Sequence, residues 1–295
     1  MAAEADAEEN DMKLIADSGS TKTDWCAARS NTEFRTLHTD GINPFHQSEE
    51  QIHDTICNKL LPKLTADERR DCSEVWFYGA GCLPVKSGYI IDLLSLCFPT
   101  ATVHVDTDLL GAARAVCGHE AGIACILGTG SNSCLYDGER ILKNVPPLGY
   151  ILGDEGSGAY IGKRFISDCL KGLLPTTIKK AVMAEYGLSQ ATVLEKVYRQ
   201  PEANKFLSSV VPYIYKVRKQ PEVAALLNDC FSQFFVRNVK SYGSQYTVSF
   251  TGSVAWLFQE EIMKAAASEG LTVGKFVRKP IDGMRENHFK LRTKD

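Results

Sequence analysis

Three short loops in this 295-residue chain combine glycine with hydroxyl side chains. "LIADSGSTKTDW" begins at Leu14, "CILGTGSN" at Cys125 and "VSFTGSVAW" at Val248. Each follows an apolar run of strand type. A glycine at a strand end lets backbone N–H groups converge with no Cβ in the way. Convergent N–H groups cradle phosphate oxygens, and neighbouring Ser and Thr hydroxyls add donors. Asp17 has the chemistry to serve the Mg²⁺ that accompanies phosphates, directly or through water. Lys22 is either a point charge for the same phosphates or a solvated turn lysine. Any one loop is compatible with an ordinary β-turn, whereas three of one form point to a polyphosphate. Other nucleotide motifs are missing: there is no G-x-x-x-x-G-K-[ST], and no G-x-G-x-x-G opens a helix after a strand.

Two acidic motifs accompany the loops. "VDTDLLGAARA" sets Asp106 and Asp108 where a strand passes into a helix. Asp106 or Thr107 can cap that helix, with Asp108 in its first turn. A carboxylate at the carboxyl end of a parallel strand also points into a ligand crevice, where it can accept a hydroxyl proton during phosphoryl transfer. "LGYILGDEGSGAYIGKRF", from Leu148, carries Asp154 and Glu155 among five glycines just before an apolar helix. It reads as a flexible loop with a Ser N-cap, or as a ligand loop whose carboxylates hold sugar hydroxyls.

These residues need a scaffold. Leu14–Asp17 reads as a strand, with Trp25–Arg29 its hairpin partner and Phe34–His38 a third strand. Gln51–Leu64 repeats apolar residues every four positions, at Ile52, Ile56, Leu60 and Leu64, and predicts a helix. A strand at Val75–Tyr78, a helix at Tyr89–Cys97, a strand at Thr102–Val105 and a helix at Asp108–Cys117 follow. The pattern then restarts with strands at Ile123–Leu127 and Ser133–Tyr136. A long helical region spans about 157–240, then a strand at Thr247–Phe250 and a helix at about 255–268. Asp17-Ser18-Gly19-Ser20 lines up with Gly128-Thr129-Gly130-Ser131, which suggests two related α/β domains. The basic run from Lys275 predicts a solvated face or a final amphipathic helix.

Composition narrows the partners. Net charge is −3, too near zero to favour nucleic acid or an anionic membrane. No apolar run approaches the ~20 residues of a membrane span. The acidic residues 1–12 lack the apolar stretch of a signal peptide and read as a disordered tail. The ten cysteines form no C-x-x-C pair and several sit in apolar runs. They predict reduced thiols, a cytoplasmic location and no zinc site. His46, His53, His104, His119 and His288 show no paired metal spacing and are expected at the surface or at helix caps.

Taken together, the three loops and two acidic motifs resemble the N-acetylglucosamine kinases and the wider BadF/BadG/BcrA/BcrD-type ATPases of the actin, Hsp70 and sugar kinase superfamily. The likeness runs from about Leu14 to Leu271. "DSGSTKTDW" is similar to the first phosphate motif, "GTGSN" to the second and "FTGSVA" to the adenosine motif. "TDLLGAA" is similar to the segment with the catalytic aspartate, and "GDEGS" to the hexosamine-kinase sugar loop. The resemblance implies an α/β fold of two ribonuclease H-like (actin-like ATPase) domains around a nucleotide and sugar cleft. It implies domains at 13–112 and 113–283, with a C-terminal helix at about 284–295 rejoining the first. It implies ATP and Mg²⁺ as cofactors, and ATP-dependent phosphorylation of a hexosamine, N-acetylglucosamine at O6.

Carried over by motif, Asp108 is the general base and Asp17 the Mg²⁺-linked acid. Gly19, Ser20, Thr21 and Lys22 surround the terminal phosphates from one side, Thr129 and Gly130 from the other. Gly252 and Ser253 lie at the adenosine end. Asn43, Asn132, Gly149 and Asp154 contact the sugar. Pro146 and Pro147 stand where the animal kinases carry glycines. No cysteine sits in the glycine-rich context that ligates an iron–sulfur cluster in the activator branch. The alternative on the same fold is a non-catalytic nucleotide- and sugar-binding regulator, or an ATPase activator. A homodimer is a further expectation, with no nucleic acid or membrane partner.

Overall fold

The computed structural model describes residues 11–19 and 21–290. Two compact units emerge: one holds the described residues up to His119 together with those from Lys279 onward, the other Glu120–Arg278. Most of the expected acidic tail, Ser20 and the last five residues of the expected final helix lie outside the described residues. Met12, assigned to the tail by sequence, instead opens the first strand and is buried.

The first unit is built on β1 (Met12–Ser18), β2 (Lys22–Ala28), β3 (Phe34–Asp40), β4 (Cys72–Gly79) and β5 (Thr102–Thr107), in the order β3-β2-β1-β4-β5. β1 pairs antiparallel with β2 and parallel with β4, and β4 pairs parallel with β5. The second unit holds β6 (Gly122–Leu127), β7 (Ser131–Tyr136), β8 (Ile141–Asn144), β9 (Val248–Thr251) and β10 (Val273–Val277), in the order β10-β9-β6-β7-β8. Read from β6, the scheme repeats: β6 is antiparallel to β7 and parallel to β9, and β9 is parallel to β10. The restart seen in sequence is therefore a restart of topology.

Each central strand is apolar on both faces, as a strand covered by helices on both sides must be. Leu14, Ile15 and Ala16 of β1 are buried, as are Ile123, Ala124 and Cys125 of β6. Around β1 pack Trp25, Phe77, Phe98 and Ile56. Around β6 and β9 pack Phe165, Phe231, Phe234, Phe235 and Phe258, most of them from the helical stretch between β8 and β9. Parallel neighbours need a crossover. The helix Gly88–Cys97 serves β4 to β5, and the helices Ser253–Leu257 and Gln259–Ser268 serve β9 to β10.

Two expectations change form. The helix predicted over 51–64 is an α-turn at Glu49–His53, a π-helical segment at Asp54–Leu60 and a 3₁₀ turn at Leu61–Lys63. A strict four-residue repeat outruns the 3.6 residues of an α-turn. The wider π-turn keeps Ile52, Ile56, Leu60 and Leu64 all in the core. The basic run begins inside β10 (Val273–Val277), a strand the sequence reading missed. At a sheet edge Gly274 and Lys275 are tolerated, so the strand reads as polar although Phe276 stacks on Phe250 at 5.2 Å. The final helix is Pro280–Phe289, opened by a proline at its first position and packed against the helix Asp108–Cys117.

Candidate functional site

In the first unit, register places the acids. Asp24, Asp17, Tyr78 and Asp106 form one row across β2, β1, β4 and β5. Asp108 lies two residues past Asp106, as the first residue of its helix, with Thr107 the N-cap accepting from the Leu110 N–H. The Asp108 carboxylate accepts backbone N–H groups of its own turn, yet burial wins and holds its pKa above the usual carboxylate range. Burial also lifts Asp17, to about 7, aided by the charges of Asp108 and Asp24 and opposed by Lys22. Asp106 is a separate case. Burial raises it, while Arg114 and His104 pull it down, and it sits among those side chains.

The β1–β2 turn is closed by the Gly19 N–H, which donates to Lys22 O at 3.0 Å. Thr21 is exposed, and its carbonyl accepts the Gly41 N–H at 3.1 Å. Lys22 extends into solvent, its Nζ 2.8 Å from Asp24 Oδ2. Asp24 also holds His38 Nδ1 at 2.6 Å. Ser18, beside Asp17, points inward: its Oγ accepts the Ile42 N–H at 3.0 Å and lies 2.7 Å from Thr23 Oγ1. That contact fixes the chain leading into Asn43. Asn43 is itself buried, with Oδ1 accepting the Phe45 N–H and its own N–H donating to Gln47 Oε1. Ser18 was not singled out by sequence, because a serine in a hydroxyl-rich loop carries no mark of which way it faces.

In the second unit, the Gly128 N–H donates to Gly130 O at 2.9 Å and closes the β6–β7 turn. Thr129 is exposed at its tip. The helix Gly158–Lys171 docks its N-terminus on this turn, with Gly158 N–H on Gly128 O and Ala159 N–H on Thr129 O. The loop before it brings Asp154 over the same turn, and a Cβ at Gly130 would stand 3.0 Å from Asp154 Oδ2. Asp154 has φ 56, a left-handed backbone uncommon outside glycine. Burial raises its pKa to about 6, with the Ser131 N–H acting against the shift.

Asn132 is half-buried on β7, its Oδ1 accepting from Ser133 N and Asn144 Nδ2 at 2.9 Å each. Gly149 is exposed at the start of a single turn, Gly149–Leu152. Gly252 has φ 105 and packs on the end of β6, where an added Cβ would lie 2.3 Å from Leu127 O, so only glycine fits. Ser253 follows it, exposed at a helix start. Glu155 turns inward, its Oε2 accepting from Asn238 Nδ2 at 3.2 Å and bracing the Asp154 loop from the distant π-helical segment Phe235–Val239. Nothing in the sequence pairs residues so far apart. Among the described residues, no group of three or more His, Cys, Asp and Glu side chains could hold a metal ion. The half-buried, mutually repelling pair Asp17 and Asp108 does fit a divalent cation held largely by water and phosphate oxygens.

The histidine expectation needs correcting. His288 is packed inside the first unit, its Nε2 2.9 Å from Tyr78 Oη, and burial drives its pKa down to about 3. His104 stacks on Trp76 with ring centres 3.7 Å apart. None of the ten cysteines is in a disulfide. No helix among the described residues is long and apolar enough to cross a membrane.

No protein-family model matches the chain. No curated protein matches it either. Among solved structures, a "Putative N-acetylglucosamine Kinase" from Porphyromonas gingivalis is 44% identical, with a TM-score of 0.89, over 94% of this chain and 99% of that one. A "Putative N-acetylglucosamine Kinase" from Chromobacterium violaceum shares the fold at 17% identity, with a TM-score of 0.72, over 94% and 98%. A ROK hexokinase from Thermus thermophilus shares it at 12% identity and 0.51, over 94% and 97%. With two repeated five-stranded units, an aspartate opening the helix after β5 and a whole-length relative at this identity, the chain belongs to the N-acetylglucosamine kinase-like family.

Proposed function

We propose that this protein is an ATP-dependent sugar kinase acting on a hexosamine, N-acetylglucosamine at O6, with Asp108 as the general base. The observation that carries the reading is Asp108 itself: a half-buried carboxylate just past the carboxyl end of a parallel strand, with desolvation holding its pKa above the usual carboxylate range. The 44% identity to a protein described as a "Putative N-acetylglucosamine Kinase" supports the substrate class.

In this reading Asp108 takes the proton of the sugar hydroxyl as it attacks phosphorus. Asn43 is oriented by Phe45 and Gln47 and offers its side chain to the sugar. Asn132, Gly149 and Asp154 form the second group of sugar contacts. Gly19, Thr21, Lys22, Thr129 and Gly130 are assigned to the phosphates. Ser20 shares that assignment but lies outside the described residues. Gly252 and Ser253 are assigned to the adenosine. Mg²⁺, when bound, would neutralise phosphate charge, with Asp17 as its carboxylate. Lys22 must exchange Asp24 for phosphate to serve there, a small cost for an exposed ion pair.

The test is ADP release with Mg-ATP across N-acetylglucosamine, glucosamine, N-acetylmannosamine and glucose, with the product's phosphate position read by NMR. Release dependent on N-acetylglucosamine with phosphate on O6 supports the proposal. Sugar-independent release, or none, removes it.

A further inference from the structure

Two cysteines outside the candidate site lie in contact. Cys57 Sγ and Cys97 Sγ are 3.9 Å apart, from positions 40 residues apart in sequence. Both are half-buried, as is Cys117, whereas Cys26, Cys72, Cys82, Cys125, Cys134, Cys169 and Cys230 are buried. Cys57 sits in the π-helical segment Asp54–Leu60, and Cys97 ends the helix Gly88–Cys97. These elements follow the two loops that meet at Asn43: a Cβ on Gly81 would stand 2.4 Å from Asn43 Oδ1 and 3.0 Å from the Phe45 ring.

We infer that Cys57 and Cys97 form a reversible disulfide by exchange with a low-molecular-weight disulfide, stapling these two elements together. One thiolate attacks a sulfur of the small disulfide, forming a mixed disulfide and expelling one thiolate. The other cysteine then attacks the protein sulfur of that bond, closing Cys57–Cys97 and expelling the second small thiolate. Two protein thiols are oxidised, one small disulfide is reduced to two thiols, and the two protons pass to those thiols. The two sulfurs already touch and need to close only by the difference between contact and the ~2.05 Å bond. Burial first, and the neighbouring Cys57 next, push the Cys97 thiol up to about 12, so exchange quickens as pH rises. A link across 40 positions closes a long loop in the unfolded chain and raises the midpoint of denaturation.

The experiment incubates the native protein with a graded series of reduced and oxidised glutathione at pH 8, alkylates remaining thiols and maps the peptides by mass spectrometry. The expected result is a Cys57–Cys97 linked peptide, eight alkylated cysteines and a higher urea midpoint. In Cys57→Ser and Cys97→Ser variants, the linked peptide disappears and a glutathione adduct accumulates on the remaining partner. Glutathione adducts without the link in the wild type, or no modification of either residue, would overturn the proposal. A Cys57→Ala variant separates loss of the link from any misfolding caused by a buried hydroxyl. All of these readouts are independent of catalysis.

Discussion

The charge of Asp108 is one of the two that help burial hold the Asp17 carboxyl at about 7. Asp17 lies one residue from the end of the central strand and Asp108 opens a helix two strands away, so register across β1, β4 and β5 brings two acids of separate motifs under one influence. The cost of keeping both ionised is what a bound cation would relieve.

That cost has a measurable sign. Between about pH 4 and pH 7 the native state holds the Asp17 proton and the unfolded chain does not, so the metal-free protein loses stability as pH rises through this window. Asp17→Asn should flatten the slope, leaving stability near pH 4 little changed and raising it at pH 8 by up to about 4 kcal/mol. Urea titrations in a chelator at the two pH values check this. An unchanged slope in the variant would place the pH dependence elsewhere.

His288 works in the opposite direction. It is half-buried and neutral with its pKa at about 3, so its contribution is present above pH 6.5 and is lost as pH falls from there toward 3. Lowering pH from 7 to 5 should cost about 2 kcal/mol through this group. His288→Gln, which keeps a hydrogen-bonding partner for Tyr78, should shed that acid sensitivity in thermal or urea melts.

Ser18→Ala removes the hydroxyl that accepts the Ile42 N–H. Leaving that buried donor unpaired should cost about 1–3 kcal/mol in a urea titration. Because Asn43 follows Ile42, the variant should also raise KM for the sugar more than it lowers kcat. A kcat loss at unchanged KM would detach Ser18 from sugar binding.

How much of this was legible in advance depends on the residue. β1, β6 and the helix opened by Asp108 announce themselves through unbroken apolar runs and an alanine-rich stretch with a capping threonine. The glycine turns at Gly19 and Gly130 were legible as turns, but not that the Gly19 and Gly128 N–H groups are used to close them. β10 stayed hidden because an edge strand tolerates Gly274 and Lys275. Glu155 with Asn238, and Tyr78 with His288, are pairings made by tertiary structure alone. His288 shows the same limit, since a histidine near the end of a basic run carries no sign that it will be half-buried.

Gly252→Ala should be among the most damaging single-methyl additions in the second unit. The residue has φ 105 and the methyl would press on Leu127 O at 2.3 Å. Strain of this kind costs about 1–3 kcal/mol before the clash is counted. Thermal denaturation should show a clear drop in midpoint. Nucleotide affinity, read by calorimetry on the folded fraction, should fall as well.

The most direct test of the central claim is ADP release with Mg-ATP and N-acetylglucosamine for wild type against Asp108→Asn, with folding of the variant confirmed by circular dichroism. The proposal predicts turnover that requires the sugar and a loss of about 10²–10⁴ in kcat in the variant, with KM little changed. Equal rates in the two proteins would contradict the assignment of Asp108 as the base.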